Sequence, residues 1–203
     1  MPSQPTPISK PILLLGEGAD EVGFFEALLE HLQRADDIQV EDYSGKDKLS
    51  HFLGGIRSRS GFSTLKSLVI TRDADASAED AFKSVSKVLV NAGFPRPLRP
   101  AETTSQAPRI AVLILPNESD PGALESICLK SIRKNPHFQC VEQYFQCMEP
   151  VTQGWTVSPD KAKLRVWLTA FDPYARISRA AKHASFSWDD PAFQELREFF
   201  SQL

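Results

Sequence analysis

Two acidic motifs, each directly after a short apolar run, have the residue types that bind a divalent cation. Asp73 and Asp75 follow the run at residues 68–70, and Glu17 lies between two glycines after residues 12–15. Such runs are typical of buried parallel strands, whose carboxyl ends carry the ligand groups of α/β sheets. Neighbouring carboxylates repel each other unless a cation lies between them. We therefore expect a Mg²⁺ or Mn²⁺ site here, with a solvated Asp-rich turn as the alternative for the second motif.

Apolar periodicity divides the first part of the chain into alternating strands and helices. Helical spacing predicts a helix over residues 20–33, with Asp20 as its N-cap, and another over 78–92, ended by Gly93. The other predicted elements are strands at residues 12–15, 37–43, 65–71 and 109–116 and helices at 46–59 and 123–132. This alternation predicts an α/β fold with a doubly wound, mainly parallel sheet of about four strands.

The rest of the chain has helical patterns only. No linker is long enough to separate a second domain, so residues 133–203 are expected to form a helical C-terminal extension packed on the core at 11–132. The predicted helices of this extension are residues 138–147, 161–171, 176–183 and 191–200. Residues 1–10 are rich in proline and polar side chains, which predicts a flexible tail.

Composition limits the class of protein. The 203 residues are 41% hydrophobic and carry a formal net charge of −3, so nucleic acid would have to bind a local basic patch. Cys128, Cys140 and Cys147 form no CxxC pair, which predicts reduced thiols and a cytoplasmic location, with Cys140 and Cys147 buried on one helix face. No apolar run approaches membrane-spanning length and the N-terminus has no secretory pattern, so no membrane association is expected.

The two acidic motifs together resemble the TOPRIM domain, the acidic catalytic module of topoisomerases, bacterial primases and OLD-family nucleases. That family carries a Glu on the turn after its first strand, matched here by Glu17, and an Asp-x-Asp after its third, matched by Asp73 and Asp75. The order of strands and helices also matches, over about residues 11–130. The closest likeness is to small stand-alone, OLD-like TOPRIM proteins of uncharacterised function.

Three further residues are candidates for the same site. Glu125, in the stretch PGALES, falls in the first turns of a helix after the fourth strand. It is either a fourth metal ligand or a support for one, as a Gly-x-Leu-Glu stretch in the resembled family implies, or a carboxylate favoured by the helix dipole. Lys161 and Lys163 belong to a cationic cluster. OLD-type nucleases place a lysine near the scissile phosphate, which implies that role for one of them; a solvated helix face is the alternative.

The resemblance implies divalent-metal-dependent phosphodiester cleavage of a nucleic acid or a nucleotide phosphate. Glu17, Asp73, Asp75 and Glu125 would hold the metal, and a lysine would stabilise the phosphate. One alternative is a non-catalytic TOPRIM unit that binds or regulates a separate ATPase chain. Another is a DxD phosphatase of the haloacid-dehalogenase type, which needs its nucleophilic Asp after the first strand, where this chain has Glu17.

Overall fold

A four-stranded sheet forms the centre of the computed structural model, which describes residues 6–152, 158–171, 175–183 and 185–203. Its strands are β1 (Ile12–Gly16), β2 (Ile38–Asp42), β3 (Ser67–Asp73) and β4 (Arg109–Leu115). They lie in the order β2-β1-β3-β4, and every neighbouring pair is parallel. The predicted α/β fold with a mainly parallel sheet of about four strands is therefore confirmed.

Helices cover both faces of this sheet. They are α1 (Ala19–His31), α2 (Leu49–Ile56), α3 (Ala78–Asn91), α4 (Leu124–Ile132), α5 (Phe138–Thr152), α6 (Pro159–Thr169), α7 (Ile177–Lys182) and α8 (Gln194–Gln202). Alternate strand residues point to opposite faces. Leu14 and Val69 therefore join the hydrophobic cluster of α1, α4 and the C-terminal helices, whereas Leu13 and Leu68 join that of α2 and α3. Burial on both faces explains why these strands are continuous apolar runs.

The register of the central strands brings the acidic motifs to one edge. Leu15 of β1 pairs with Ile70 of β3, and both strands run in the same direction. Glu17 and Asp73 therefore leave the sheet side by side at its carboxyl edge, as the sequence predicts. β4 pairs with β3 up to Leu115, so the turn that leads into α4 lies beside the same edge.

The C-terminal helical region shares a hydrophobic core with the sheet domain. The ring of Phe24 on α1 lies 5.2 to 6.5 Å, between centroids, from those of Phe186, Trp188 and Phe193. Phe24 and Phe193 are both fully buried. The residues after α4 are thus packed on the core. Within the described ranges, no helix has both the length and the hydropathy that a membrane crossing requires.

The segment before β1 packs on the domain, in contrast to the flexible tail predicted for residues 1–10. Ile8 is buried in the cluster on the α2–α3 face. The guanidinium of Arg59 donates a hydrogen bond of 2.9 Å through Nε to the carbonyl oxygen of Thr6. These contacts fix the segment, so the prediction is wrong from Thr6 onward, and residues 1–5 lie outside the described part of the chain.

The start of α1 also differs from the prediction. The helix begins at Ala19 with Gly18 as its N-cap, so Asp20 lies inside the first turn. The Oδ1 atom of Asp20 instead accepts hydrogen bonds from the Ser178 backbone N–H at 3.3 Å and from the Ser178 hydroxyl at 2.8 Å. Asp20 therefore connects α1 to the start of α7.

Two of the cysteines lie on the surface and not in the core. The buried side of α5 is formed by Phe138, Val141 and Phe145. Cys140 and Cys147 occupy the opposite side and are exposed. The expectation that these two thiols are buried is wrong, because the larger apolar residues of the helix determine which side faces the core.

Candidate metal centre

Three carboxylates converge at the carboxyl edge of the sheet. Glu17, Glu21 and Asp73 each offer one oxygen atom, and these three atoms all lie within 4.8 Å of one another. Glu17 is on the turn after β1, Glu21 is in the first turn of α1, and Asp73 is the last residue of β3. The site is therefore built by two adjacent parallel strands and the helix that follows the first of them.

Glu21 is a buried carboxyl group that sequence reasoning missed. Its Oε2 atom accepts a hydrogen bond from the Glu17 backbone N–H at 3.0 Å and lies 2.5 Å from Oγ1 of Thr71. The Thr71 hydroxyl also lies 3.0 Å from the carbonyl oxygen of Leu15, to which it can donate its single proton. The 2.5 Å contact between Thr71 Oγ1 and Glu21 Oε2 is then a hydrogen bond when the protonated Glu21 carboxyl group donates it.

The environment of Glu21 favours that protonated form. Burial raises the pKa of Glu21 to about 8, and the negative charge of Asp73 acts in the same direction. At neutral pH the Glu21 carboxyl group therefore retains its proton. The sequence signal that could have revealed Glu21 is its position four residues after Glu17, across the turn from strand to helix.

Asp73 links the end of β3 to the start of α4. Its Oδ1 atom accepts a hydrogen bond of 3.0 Å from the backbone N–H of Leu124, the first residue of α4. The pKa of Asp73 is raised to about 7, chiefly by burial and also by the charge of Glu125, against the opposing effects of the Leu124 hydrogen bond and Lys161. The group therefore titrates near neutral pH.

Lys161 is directed at the carboxylates, as the resemblance implies for one of the two lysines. Its Nζ atom lies 3.8 Å from Oδ2 of Asp73 and 3.5 Å from Oε1 of Glu125. Glu125 is in the first turn of α4 and pairs with this ammonium group, but it contributes no atom to the cluster of three oxygens. Its place in the first turn of α4 thus fits the role favoured by the helix dipole, whereas the three converging oxygens do not include it as a metal ligand.

Lys163 does not belong to the site. Its Nζ atom donates to both carboxylate oxygens of Glu142 on α5, at 2.8 and 3.0 Å. Residues two apart on a helix face different directions, so α6 can direct only one of the two lysines toward Asp73. The candidate role of Lys163 is therefore wrong.

Asp75 lies near the cluster but is not part of it. Its backbone has a positive φ of 51° and exchanges two hydrogen bonds of 2.8 Å with Gly122. Its side chain is 55% exposed, with Oδ2 at 3.6 Å from both Lys46 Nζ and Arg72 Nη2. The turn directs this carboxylate toward two cations, so the structure does not bring it among the three converging oxygens.

Arg72 is a second residue that sequence reasoning missed. It is buried, and its Nη1 atom donates to Oε2 of Glu17 at 2.5 Å. Its other terminal nitrogen faces Asp75, so the guanidinium group bridges the two acidic motifs. The signal in the sequence is a charged residue directly before Asp73, at the end of an otherwise apolar strand.

The donor set fits a hard divalent cation. Carboxylate oxygens are the ligands that Mg²⁺ and Ca²⁺ prefer, and at an Mg–O distance of about 2.1 Å two ligands lie at most about 4.2 Å apart. The oxygens of Glu17, Glu21 and Asp73, all within 4.8 Å of one another, need only small side-chain rotations to reach that spacing. This cluster could therefore bind a metal ion.

The fold and the site define an α/β protein with an acidic cluster at the carboxyl edge of a parallel sheet. A family model described as "Protein of unknown function (DUF3226)" matches residues 11–203, and the chain belongs to that family. No curated protein and no solved structure matches the chain.

Proposed function

We propose that the protein is a divalent-metal-dependent phosphodiesterase that cleaves nucleic acid, with Glu17, Glu21 and Asp73 as its metal ligands. The observation that carries this proposal is the convergence of three carboxylate oxygens within 4.8 Å, beside the ammonium group of Lys161. Mg²⁺ or Mn²⁺ bound there would polarise the phosphate and activate a water molecule. The carboxylates would hold the metal ion, and the metal ion together with Lys161 would offset the negative charge of the scissile phosphate.

The side chains of the chain have separate roles in this proposal. Lys161 is 35% exposed, so its ammonium group can contact a non-bridging oxygen of the phosphate while it stays beside Asp73. Arg72 is only 10% exposed and holds the Glu17 carboxylate in place. Glu21 and Asp73 must lose their protons to act as ligands, which couples ion binding to pH.

The resemblance to TOPRIM domains supports the proposal at Glu17 and Asp73, the two motif positions that meet in the cluster. The proposal departs from the resemblance at the second aspartate of the DxD motif. At that position, the carboxylate of Asp75 pairs with the side chains of Arg72 and Lys46 and not with the cluster. Glu21 supplies the third ligand in its place.

The experiment that tests the proposal is a cleavage assay on the EDTA-treated protein with Mg²⁺ or Mn²⁺ restored. End-labelled single- and double-stranded DNA and RNA serve as substrates. We expect cleavage that depends on the metal and is abolished in Asp73→Asn. Glu142→Gln removes an acidic group outside the site, where the partner is Lys163, and should retain activity.

The possible results discriminate among the functions considered. Equal cleavage by Asp73→Asn and the wild type would contradict the proposal. Metal binding without cleavage of any substrate would favour the non-catalytic role beside a separate ATPase chain. The phosphatase alternative has no support at its nucleophile position, because the residue after β1 is Glu17, whose carboxylate pairs with Arg72.

A further inference from the structure

The two edges of the sheet differ in how far they are covered. β4 forms one edge, and the segment before it covers part of that edge. The backbone N–H groups of Ala101 and Thr104 donate to the carbonyl oxygens of Val112 and Ile110, at 2.8 and 3.0 Å. β2 forms the other edge, and no strand in the described part of the chain pairs with its outer side.

The outward backbone groups of β2 follow from its pairing with β1. Tyr43 donates its backbone N–H to the Gly16 carbonyl at 3.0 Å, so the odd-numbered residues of this strand are the ones that bond to β1. The N–H and C=O groups of Val40 and Asp42 therefore point away from β1. These groups have no hydrogen-bond partner within the described ranges. An uncovered row of such groups is a template for pairing with another strand.

The strand carries little of what usually protects an edge from pairing. It contains no proline, and half-buried Val40 is at its centre. Glu41 is directed inward, where its carboxylate pairs with Arg59 at 2.7 Å. Asp42 is exposed, and in the described part of the chain no lysine or arginine forms an ion pair with it. Of the two carboxylates of β2, only that of Asp42 is thus free to contact a partner.

A cation lies at the opposite end of the same edge. The Nζ atom of Lys10 lies 3.4 Å from the outward carbonyl oxygen of Ile38 and also donates to that of Ala35. Among the described residues, no carboxylate forms an ion pair with this ammonium group, which lines the same depression as Glu26 and Glu30. The edge therefore has a cation at its start and an unpaired anion at its end.

We propose that β2 is the interface of a homodimer, in which it pairs antiparallel with β2 of a second copy about a two-fold axis at Val40. The Val40 residues of the two copies would exchange two hydrogen bonds at the axis. At each end, the Asp42 N–H of one copy would donate to the Ile38 carbonyl of the other, which has a second lone pair for this bond. The contact is self-complementary, as a two-fold axis requires.

Charge complementarity favours a second copy in this orientation. The antiparallel register places Asp42 of one copy opposite Ile38 of the other, and hence beside Lys10 of that copy. The side chains of Ile38, Val40 and Asp42 point to the same side of the sheet, which is the side that carries α1. Opposite charges across neighbouring strands stabilise their pairing, whereas a parallel arrangement would bring like charges together.

The dimer leaves the acidic cluster of each copy complete. The two four-stranded sheets would form one continuous sheet, and the antiparallel pairing would place the two clusters at its opposite edges. No residue of β2 belongs to the cluster. The proposal is therefore independent of metal-dependent cleavage, and its tests need no measurement of activity.

The first test measures the oligomeric state and the protection of the edge together. Sedimentation velocity of the full chain, in EDTA with a reducing agent, should show a monomer–dimer equilibrium over roughly a hundredfold range of concentration. Amide hydrogen exchange should show that the Val40 and Asp42 N–H groups are protected in the dimer and not in the monomer. A monomer at every concentration would overturn the proposal. Protection of these groups in a monomer would do so as well, because the chain would then cover its own edge.

Charge reversal tests the register. Asp42→Lys or Lys10→Glu alone places like charges beside each other at both ends of the interface, so the dissociation constant of the dimer should rise about tenfold or more. The double variant Lys10→Glu/Asp42→Lys restores both pairs with their signs exchanged. Its dissociation constant should return to within about threefold of the wild type. A double variant that is no tighter than the single ones is incompatible with the proposal.

Glu118→Lys is the matched control for Asp42→Lys. It makes the same change of net charge at an exposed position beyond the end of β4, at the other edge of the sheet. The dissociation constant should change less than about twofold. Equal effects of the two variants would mean that only the net charge matters, which would contradict pairing through β2.

Val40→Lys tests the two-fold axis. The stem of a lysine can replace the half-buried valine while the ammonium group reaches water, so the thermal midpoint of the monomer should stay close to that of the wild type. Two ammonium groups would then face each other across the axis, and the dimer should be lost over the whole concentration range. A Val40→Lys variant that dimerises as tightly as the wild type would refute the assigned interface.

Discussion

The ammonium group of Lys161 on α6 lies 3.8 Å from the carboxylate of Asp73 at the end of β3. The other oxygen of Asp73 accepts the first backbone N–H of α4, at Leu124. One aspartate thus joins the sheet, α4 and the helical C-terminal region at a single point. The C-terminal region consequently contributes a charge to the acidic cluster in addition to packing on the sheet.

The first prediction concerns this lysine. Lys161→Met removes the ammonium group but keeps most of the apolar side chain, so the fold should be retained. Metal-dependent cleavage should slow roughly a hundredfold, the usual cost of losing one group that stabilises transition-state charge. Single-turnover kinetics with saturating Mn²⁺ measure this change.

The matched control for that variant is Lys163→Met on the same helix. Its ammonium group pairs with Glu142, so the cleavage rate should stay within about twofold of the wild type. A similar loss of rate in both variants would indicate a general electrostatic effect of the basic region and contradict a specific role for Lys161.

The second prediction separates the two functions of Asp73. Asn at this position can still accept the Leu124 N–H, so in EDTA its thermal midpoint should lie within about 2 °C of the wild type. Ala cannot accept it and should cost about 1 kcal/mol of folding free energy, as other lost helix caps do. Thermal melts in EDTA compare the two variants.

The same variants should differ from the wild type when Mn²⁺ is added. An ion that binds only the folded state raises the melting temperature of the wild type by mass action. Neither Asp73→Asn nor Asp73→Ala should show this increase. A wild type indifferent to Mn²⁺, together with a destabilised Asp73→Ala and an unaffected Asp73→Asn, would mean that Asp73 is only a structural cap.

The strands and the edge that they share are predictable from local sequence. Buried parallel strands need apolar side chains on both faces, so β1 and β3 stand out as continuous runs. The end of each run then locates Glu17 and Asp73. The position of Lys161 was predictable only through the resemblance, because nothing in its local pattern separates it from Lys163.

Other parts of the site depend on contacts between distant segments. From the sequence, Glu21 would be expected at the surface, because it lies in the first turn of a helix. In the structure its buried carboxyl group is paired with the Thr71 hydroxyl of β3. Asp75 follows the motif, but its orientation depends on a turn fixed by Gly122. Arg72 is explained by its partner Glu17, which comes from the turn after another strand. Such pairings are tertiary and leave little signal in a single sequence.

The third prediction concerns pH. Folding raises the pKa of Glu21 to about 8 and that of Asp73 to about 7, from ordinary carboxyl values near 4. Between the ordinary carboxyl pKa and these raised pKa values, the folded protein binds protons that the unfolded chain has released. The free energy of unfolding therefore falls as pH rises through this range. In EDTA, the melting temperature of the wild type should therefore decrease from pH 6 to pH 9.

Glu21→Gln provides the control for this dependence. Gln is a neutral analogue of the protonated Glu21, so the variant should lose less stability than the wild type over the same pH range. Mn²⁺ should have the opposite effect on the wild type, because its ligands must be deprotonated and its affinity should therefore rise from pH 6 to pH 9. A pH dependence identical in Glu21→Gln and the wild type would contradict this account.

The last prediction tests whether α7 is integral to the fold. A Cβ atom added at Gly23 of α1 would lie 2.3 Å from the Cβ of Ser178 on α7, too close for either helix to remain in place. Gly23→Ala should therefore destabilise the protein by about 1–3 kcal/mol, as other overpacked positions do. Gly54→Ala on α2 meets no atom within 4 Å and should be neutral or stabilising by up to about 1 kcal/mol.

Denaturant titrations of the single and double variants measure these differences. Ser178→Gly removes the atom that clashes, so Gly23→Ala/Ser178→Gly should be more stable than the sum of the two single changes predicts. The double variant should still be less stable than the wild type, because it lacks the hydrogen bond from the Ser178 hydroxyl to Asp20. If Gly23→Ala were as stable as the wild type, α7 would not be packed against α1. If the double variant showed no coupling, the cost would arise elsewhere on α1.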